Sequence, residues 1–362
     1  MVMIPLLPAE SIQRSGAGFL EVVEGQQVLH LKGSPYELGV QHGELLKEQI
    51  SRNVARFVDQ LEAESMPPVV KAFMANVPEI IPFIPAALIA EMQGIAVGAC
   101  VPYEKILLLN LFPEMFHCSG MTVCGQATSK GELYHVRVLD YGVGNGLQDT
   151  AILAVVKPQQ GHAFVNVTYA GFIGSITGLN EQKIGVGEIG GKGYGSWKGL
   201  PMAFLLRCIL EQTSSLAEVQ HLLASTPRTC EYYYVFSDGK TKEAIGVYAT
   251  ADTLEYITPG NKTFNLLDKT VPLSPLPADT LVITRHDHYE LILTRLMKTY
   301  GNTTVDDLQQ IIKQPVAHAT NLHNAIFAPA SLEVWVSHAG PHNEPACDQP
   351  YSHFSLPALL AN

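Results

Sequence analysis

A chain of 362 residues is long enough to bury a large core, and 16% charged against 47% hydrophobic residues argues against disorder, a coiled coil or a long charged tail. With 34 acidic and 23 basic side chains the net charge is −11, which repels phosphate backbones and anionic headgroups and argues against nucleic acid as a partner. No apolar run approaches the ~18 residues of a membrane-spanning helix. The opening MVMIPLLPAES lacks the basic n-region of a signal peptide, and the six cysteines show no CxxC spacing, so a reducing, cytoplasmic compartment is the expectation.

The first structural signal is Gly33-Ser34-Pro35-Tyr36-Glu37, where Ser34 can cap a helix, Pro35 suits its first position and Glu37 completes a capping box. Leu46, Ile50, Val54, Phe57, Val58 and Leu61 continue a helical stripe up to Met66-Pro67-Pro68. Further helical stretches broken at Pro82 and Pro85 run to Gly98, and another covers Glu104 to Leu111, so the first ~115 residues read as mostly helical. At Cys118 the pattern changes to strands. Cys118 to Ala127 and Glu132 to Tyr141 form a hairpin around Thr128-Ser129-Lys130-Gly131, and Ala151 to Val156 pairs with Ala163 to Tyr169. Phe172 to Thr177 and Ile184 to Glu188 read as strands, and Pro201 to Glu211 and Leu216 to Leu223 as helices. Glu231 to Phe236 pairs with Ala244 to Tyr248, His288 to Tyr300 and Val305 to Ile312 return to helix, and Leu332 to His338 is a closing strand. Antiparallel strands with intervening helices indicate an α+β layered fold, and without repeats or an evident linker the chain reads as one domain, 1–362.

The hairpin carries the chemistry. If Ala127 faces Glu132, Cys118 faces Tyr141 and Asp140 lies one residue away, which puts a thiol within reach of a carboxylate, since facing Cβ atoms stand ~5 Å apart. Arg137 has the opposite parity to Asp140, so both serve one site only if a bulge re-aims one of them.

The segment NLFPEMFHCSG followed by GELYHVRVLDYG resembles the start of the catalytic chain in N-terminal nucleophile (Ntn) hydrolases of the acyl-CoA:6-aminopenicillanate acyltransferase family, related to choloylglycine hydrolases and acid ceramidase. LHLKGSPYELGVQHGELL, GLNEQKIGVGEIGG and NLHNAIFAPASLEVWV resemble the family's N-terminal, central and C-terminal segments, in order. The resemblance implies a four-layer αββα sandwich made as a precursor. Cys118 attacks the His117 carbonyl, leaving a mostly helical segment 1–117 and a catalytic segment 118–362. The new α-amino group, with a pKa near 8, can take the thiol proton, so one residue supplies nucleophile and base. By the same resemblance Asp140 orients that amine and Arg137 balances the thiolate. Arg295 aligns with a later family arginine. Gly190 stands where an oxyanion-hole asparagine is usual, so backbone amides take that part. Arg285 stands where a second family asparagine is usual, and Asn321 is its candidate replacement. The implied substrate is a small apolar amide or acyl compound that acylates Cys118 and is released to water or an amine; acyl-CoA is a candidate donor. No cofactor is implied. The cleaved N-terminal segment stays bound, and a homo-oligomer is in keeping with the family.

Other readings stand beside this one. His318 and His323, or His286 and His288 with Asp287, gather imidazoles as a metal site would, without HExxH or CxxC spacing. Gly187, Gly190, Gly191, Gly193 and Gly195 suggest a phosphate cradle but match no P-loop, so a loop at a pocket rim is preferred. A catalytically silent binding module is disfavoured by Cys118, Arg137 and Asp140 occurring together. If the chain stays uncut, His135 is the candidate base.

Overall fold

The computed structural model describes residues 12–59, 68–111, 117–191, 196–260, 273–284 and 286–362. Its described residues up to Leu111 are mostly helical, as expected, but they open on strands that were not foreseen. Strands β1 (Gln13–Ser15), β2 (Gly18–Val23) and β3 (Gln26–Gly33) form an antiparallel meander. Val28 to Leu31 is buried continuously between β2 and a neighbouring strand, so no polar–apolar alternation betrays it as a strand. Ser34 then caps α1 (Pro35–Leu45) with the expected capping box, each partner's side chain accepting the other's backbone N–H.

The stripe read as one helix divides at Leu46 into α1 and α2 (Lys47–Val54), and a π-helical turn follows at Ala55–Asp59; Leu61 lies outside the described residues. Next come α3 (Pro68–Ile80), α4 (Ala86–Ala99) and α5 (Tyr103–Leu111), with the breaks at Pro82 and Pro85 where expected. Helices α1 and α4 cross backbone to backbone. A Cβ at Gly39 would stand 1.9 Å from the Glu91 carbonyl oxygen, and one at Gly94 2.3 Å from that of Tyr36.

The hairpins expected from the sequence are present as β4 (His117–Gly125) with β5 (Gly131–Asp140), and β6 (Ala151–Pro158) with β7 (Phe164–Tyr169). Strands β8 (Thr177–Asn180) and β9 (Ile184–Gly190) follow, then helices α6 (Met202–Gln212) and α7 (Leu216–Ser225). β10 (Tyr232–Asp238) pairs with β11 (Glu243–Ala249), which β12 (Leu254–Ile257) extends. After β13 (Thr280–Ile283) come α8 (His286–Thr299) and α9 (Val305–Ile311). The chain ends with β14 (Asn321–Ala328), β15 (Glu333–His338), β16 (Ser352–Ser355) and α10 (Leu356–Ala361). Phe172 to Ile176, expected as a strand, is an irregular buried connection, and β14 was not foreseen.

Among the described strands, one sheet runs β1-β2-β3-β6-β7-β8-β9-β10-β11-β12 and a second runs β13-β4-β5-β14-β15-β16. Every pairing is antiparallel except β3 with β6. Val28, Leu153, Val155 and Val165 of the first sheet pack against Ala325, Phe327, Val334 and Val336 of the second, which makes the inner layer. The outer face of the first sheet packs on α1, α2, α4, α5 and α6. That of the second packs on α8 and α9 through Met121, Val136, Val138, Ile292 and Ile311. The result is the expected α+β fold, with helix, sheet, sheet and helix in successive layers.

Candidate active site

The two sheets are joined by one register pair, His117 of β4 with Gly190 of β9. On its other side His117 pairs with Asp140, and Cys118 pairs with Leu139, not Tyr141. The register differs from expectation because β4 ends at Gly125, which pairs with Gly131 across an irregularity after Val123, both glycines having positive φ. Asp140 also pairs with Asn321 of β14, so the Cys118 backbone, Asp140, Gly190 and Asn321 converge where the sheets meet.

Strand β9, IGVGEIG, is buried throughout and lies against His135 and Arg137 of β5. A Cβ on Gly187 would stand 2.9 Å from His135 Nε2 and 3.3 Å from Arg137 Cδ, so this glycine makes room for inward-reaching side chains and not for a phosphate. Gly193 and Gly195 lie outside the described residues. The Arg137 guanidinium is fully buried; its Nη2 donates to Glu188 Oε2 at 3.1 Å, its Nη1 donates to the Val138 carbonyl, and its Nε has no acceptor among the described groups. Glu188 also accepts the Gly190 N–H. Sequence reasoning missed Glu188, although one acidic residue inside an otherwise apolar, glycine-rich strand is a signal that could have marked it.

Asp140 Oδ1 accepts the His318 backbone N–H at 2.9 Å. Burial raises its pKa above the usual carboxylate value, against the pull of that hydrogen bond, the His318 charge, Asn321 and Arg137. The Asn321 amide donates to the Leu139 carbonyl at 3.0 Å and faces the Asn324 amide. Arg295 is not gathered here. Its guanidinium donates to the carbonyls of Ile311, Lys313 and Gln314, at 2.8, 2.6 and 2.8 Å, closing the end of α9. Arg285 and the side chains of His286, His117 and Cys118 lie outside what is described.

Histidines around the site are packed, not poised. His135 bonds Ser237 through Nδ1, and burial lowers its pKa to about 3, with Arg137 adding to the effect, so it is a weak base near neutrality. His323 is held at both nitrogens, by Tyr169 at 2.9 Å and Thr177 at 3.0 Å, which leaves it no lone pair to share with His318 on a metal. No group of three metal-ligating side chains occurs among the described residues.

An apolar cavity adjoins this region. Its walls include Leu139, the partner of Cys118, Tyr141, which follows Asp140, Leu322, which follows Asn321, and also Phe172 and Ile176. This slot holds about 500 Å³ free of protein atoms, its open mouth included. No helix among the described residues is long and apolar enough to cross a membrane.

A buried arginine–carboxylate pair, a carboxylate at a strand end and an apolar slot thus lie where the two sheets join. The model of the family described as acyl-coenzyme A:6-aminopenicillanic acid acyl-transferase matches residues 129–263. The resemblance read from the sequence, to Ntn hydrolases of this family, is borne out. The chain is 27% identical over 341 residues to Protein dcd1B of Dictyostelium discoideum, covering 86% of this chain and 67% of that one. It is 29% identical over 182 residues to the N-acylethanolamine-hydrolyzing acid amidase of Rattus norvegicus, covering 47% and 48%, and 27% identical over 219 residues to the acid ceramidase of Pan troglodytes, covering 52% and 53%. The chain thus spans about half the length of the named amidase and ceramidase.

Proposed function

We propose that this protein is a cysteine-nucleophile amidohydrolase or acyltransferase, matured by cleavage between His117 and Cys118, that acts on a small apolar amide or acyl compound. The observation that carries the reading is the meeting of the sheets at His117, where register brings the Cys118 backbone beside Asp140, Gly190 and Asn321. In the mature chain the α-amino group of Cys118 takes the thiol proton and Asp140, tethered by the His318 N–H, orients that amine. The thiolate attacks the substrate carbonyl, and collapse of the tetrahedral adduct expels the amine or other leaving group, which carries off the proton. The acyl-thioester left on Cys118 is then resolved by water or by an amine acceptor. Arg137, neutralised on one side by Glu188, contributes a fixed positive charge where negative charge develops. The slot walled by Leu139, Leu322 and Phe172 suits an apolar acyl group.

Intact mass and denaturing gels test the cleavage. Wild type should separate under denaturing conditions into segments 1–117 and 118–362 that co-purify when native, because α1, α2, α4 and α5 bury their apolar faces on the first sheet, at ~1.5–3 kcal/mol per large side chain. Cys118→Ala should remain one inactive chain, and Cys118→Ser should cut slowly. An active wild type that runs as one full-length band would remove the α-amino base from the mechanism.

A further inference from the structure

The connection between β7 and β8, residues 170–176, has no regular structure yet is almost wholly buried. A buried irregular segment must find partners for its backbone polar groups from elsewhere. Here many come from side chains of the N-terminal helices. Asn53 of α2 donates to the Ala170 carbonyl at 2.8 Å, and His42 of α1 accepts the Gly171 N–H at 2.9 Å. Asn110 of α5 takes two groups at once: its amide nitrogen donates to the Gly171 carbonyl and its amide oxygen accepts the Ile173 N–H, both at 2.8 Å. From α6, Arg207 donates to the Ile173 carbonyl at 2.8 Å. The role of His42 requires a bare ring nitrogen, and its burial, with the Arg207 charge, keeps it neutral with a pKa lowered to about 3.

Asn110 therefore grips the backbone on either side of Phe172, and Phe172 and Asn110 both line the apolar slot. We propose that Asn110 is a positioning residue that fixes Phe172 in the wall of the slot, so that the N-terminal segment sets the size of acyl chain the catalytic segment accepts. The proposal rests on the function proposed above. It also gives the N-terminal segment work after cleavage, since Asn110, Asn53 and His42 all precede Cys118.

The test compares wild type, Asn110→Ala, Phe172→Ala and Phe172→Trp on p-nitroanilides of straight-chain acids from two to twelve carbons, with calorimetric binding of the matching free carboxylic acids to Cys118→Ala versions of each. Phe172→Ala should move the preferred chain in both assays two or more carbons longer, and Phe172→Trp should shorten it. Asn110→Ala should broaden the preference and raise KM for the best wild-type substrate at least tenfold, with a smaller change in kcat; mere loss of stability would lower activity on all chains alike. An unchanged chain-length preference in both Phe172 variants would overturn the proposal, and so would absence of acid binding to every version. Binding preferences that shift as expected without turnover by any version would support the wall while overturning the proposed reaction.

Discussion

Among the described residues two arginines are wholly buried, and they are used in opposite ways. Arg207, on α6, is saturated. Its Nε bonds Glu211, its Nη1 bonds Glu91 and the Ile173 carbonyl, its Nη2 bonds Glu91 and Glu211, and its plane lies 4.7 Å over the Phe164 ring. Arg137, where the sheets meet, holds one carboxylate and one carbonyl, with Nε unclaimed among the described groups and a glycine strand keeping space around it. A guanidinium has five N–H donors, and one with all of them engaged holds structure, whereas one with a donor in reserve can respond to charge that appears during a reaction. Arg295, spent on backbone carbonyls at and just past the end of α9, also holds structure.

Acid should act most strongly. His135 and His42 accept a proton only near pH 3 and His338 near 4, and His323 is lowered as well, all through burial, while in the unfolded chain each protonates near 6.5. Between those values the unfolded chain binds more protons, so stability falls as pH drops below 6.5, by up to about 1.4 kcal/mol per pH unit for each residue. Glu91, raised by burial to about 7 despite Arg207, works the other way between about 7 and 4.5, as does Asp140 in direction, but these are two carboxyls against four imidazoles. Thermal melts from pH 7.5 to 4 should show Tm dropping steeply below 6; a level Tm would mean the imidazoles are solvated or paired. The Arg137 region should open first, since His135, His323 and His338 lie in the layer it occupies.

Removing the saturated arginine comes next. Arg207→Leu strands Glu91 and should cost about 3–5 kcal/mol, visible as a lower denaturant midpoint, with activity lost in step. Arg137→Lys should instead lower turnover about 10²–10³-fold while most of the stability survives, because a compact ammonium keeps the Glu188 charge pair but not the fork. Equal and parallel losses of stability and turnover in the two variants would erase the distinction. The smallest effect is expected from Gly187→Ala, whose new methyl would press on His135 and Arg137. Overpacking of this kind costs about 1–3 kcal/mol, and turnover should suffer more than the melting temperature. A variant as active as wild type would show that the space around Arg137 is idle.

Local rules on short stretches made much of this legible. The capping box at Ser34, the breaks at Pro82 and Pro85, the helix over Tyr103–Leu111 and the hairpins after Cys118 each depend on a few adjacent residues, and each formed where the sequence placed it, the first hairpin with a shifted register. The family likeness rested on the same kind of signal, ordered motifs such as HCSG and VRVLD. What local pattern could not supply was partnership across the chain. The β3 run is apolar because a parallel strand distant in sequence lies on it. Asn321 reached Asp140 only when β14 added to β5, and Arg295 went to the end of α9 because that is where α8 packs. Glu188 became the partner of Arg137 because two strands that do not pair with each other face one another across the inner layer. The sequence by itself determined many of the helices and hairpins and which residues carried reactive groups. Tertiary structure decided which of those groups meet, because burial and the pairing of buried charge depend on neighbours that chain order does not name.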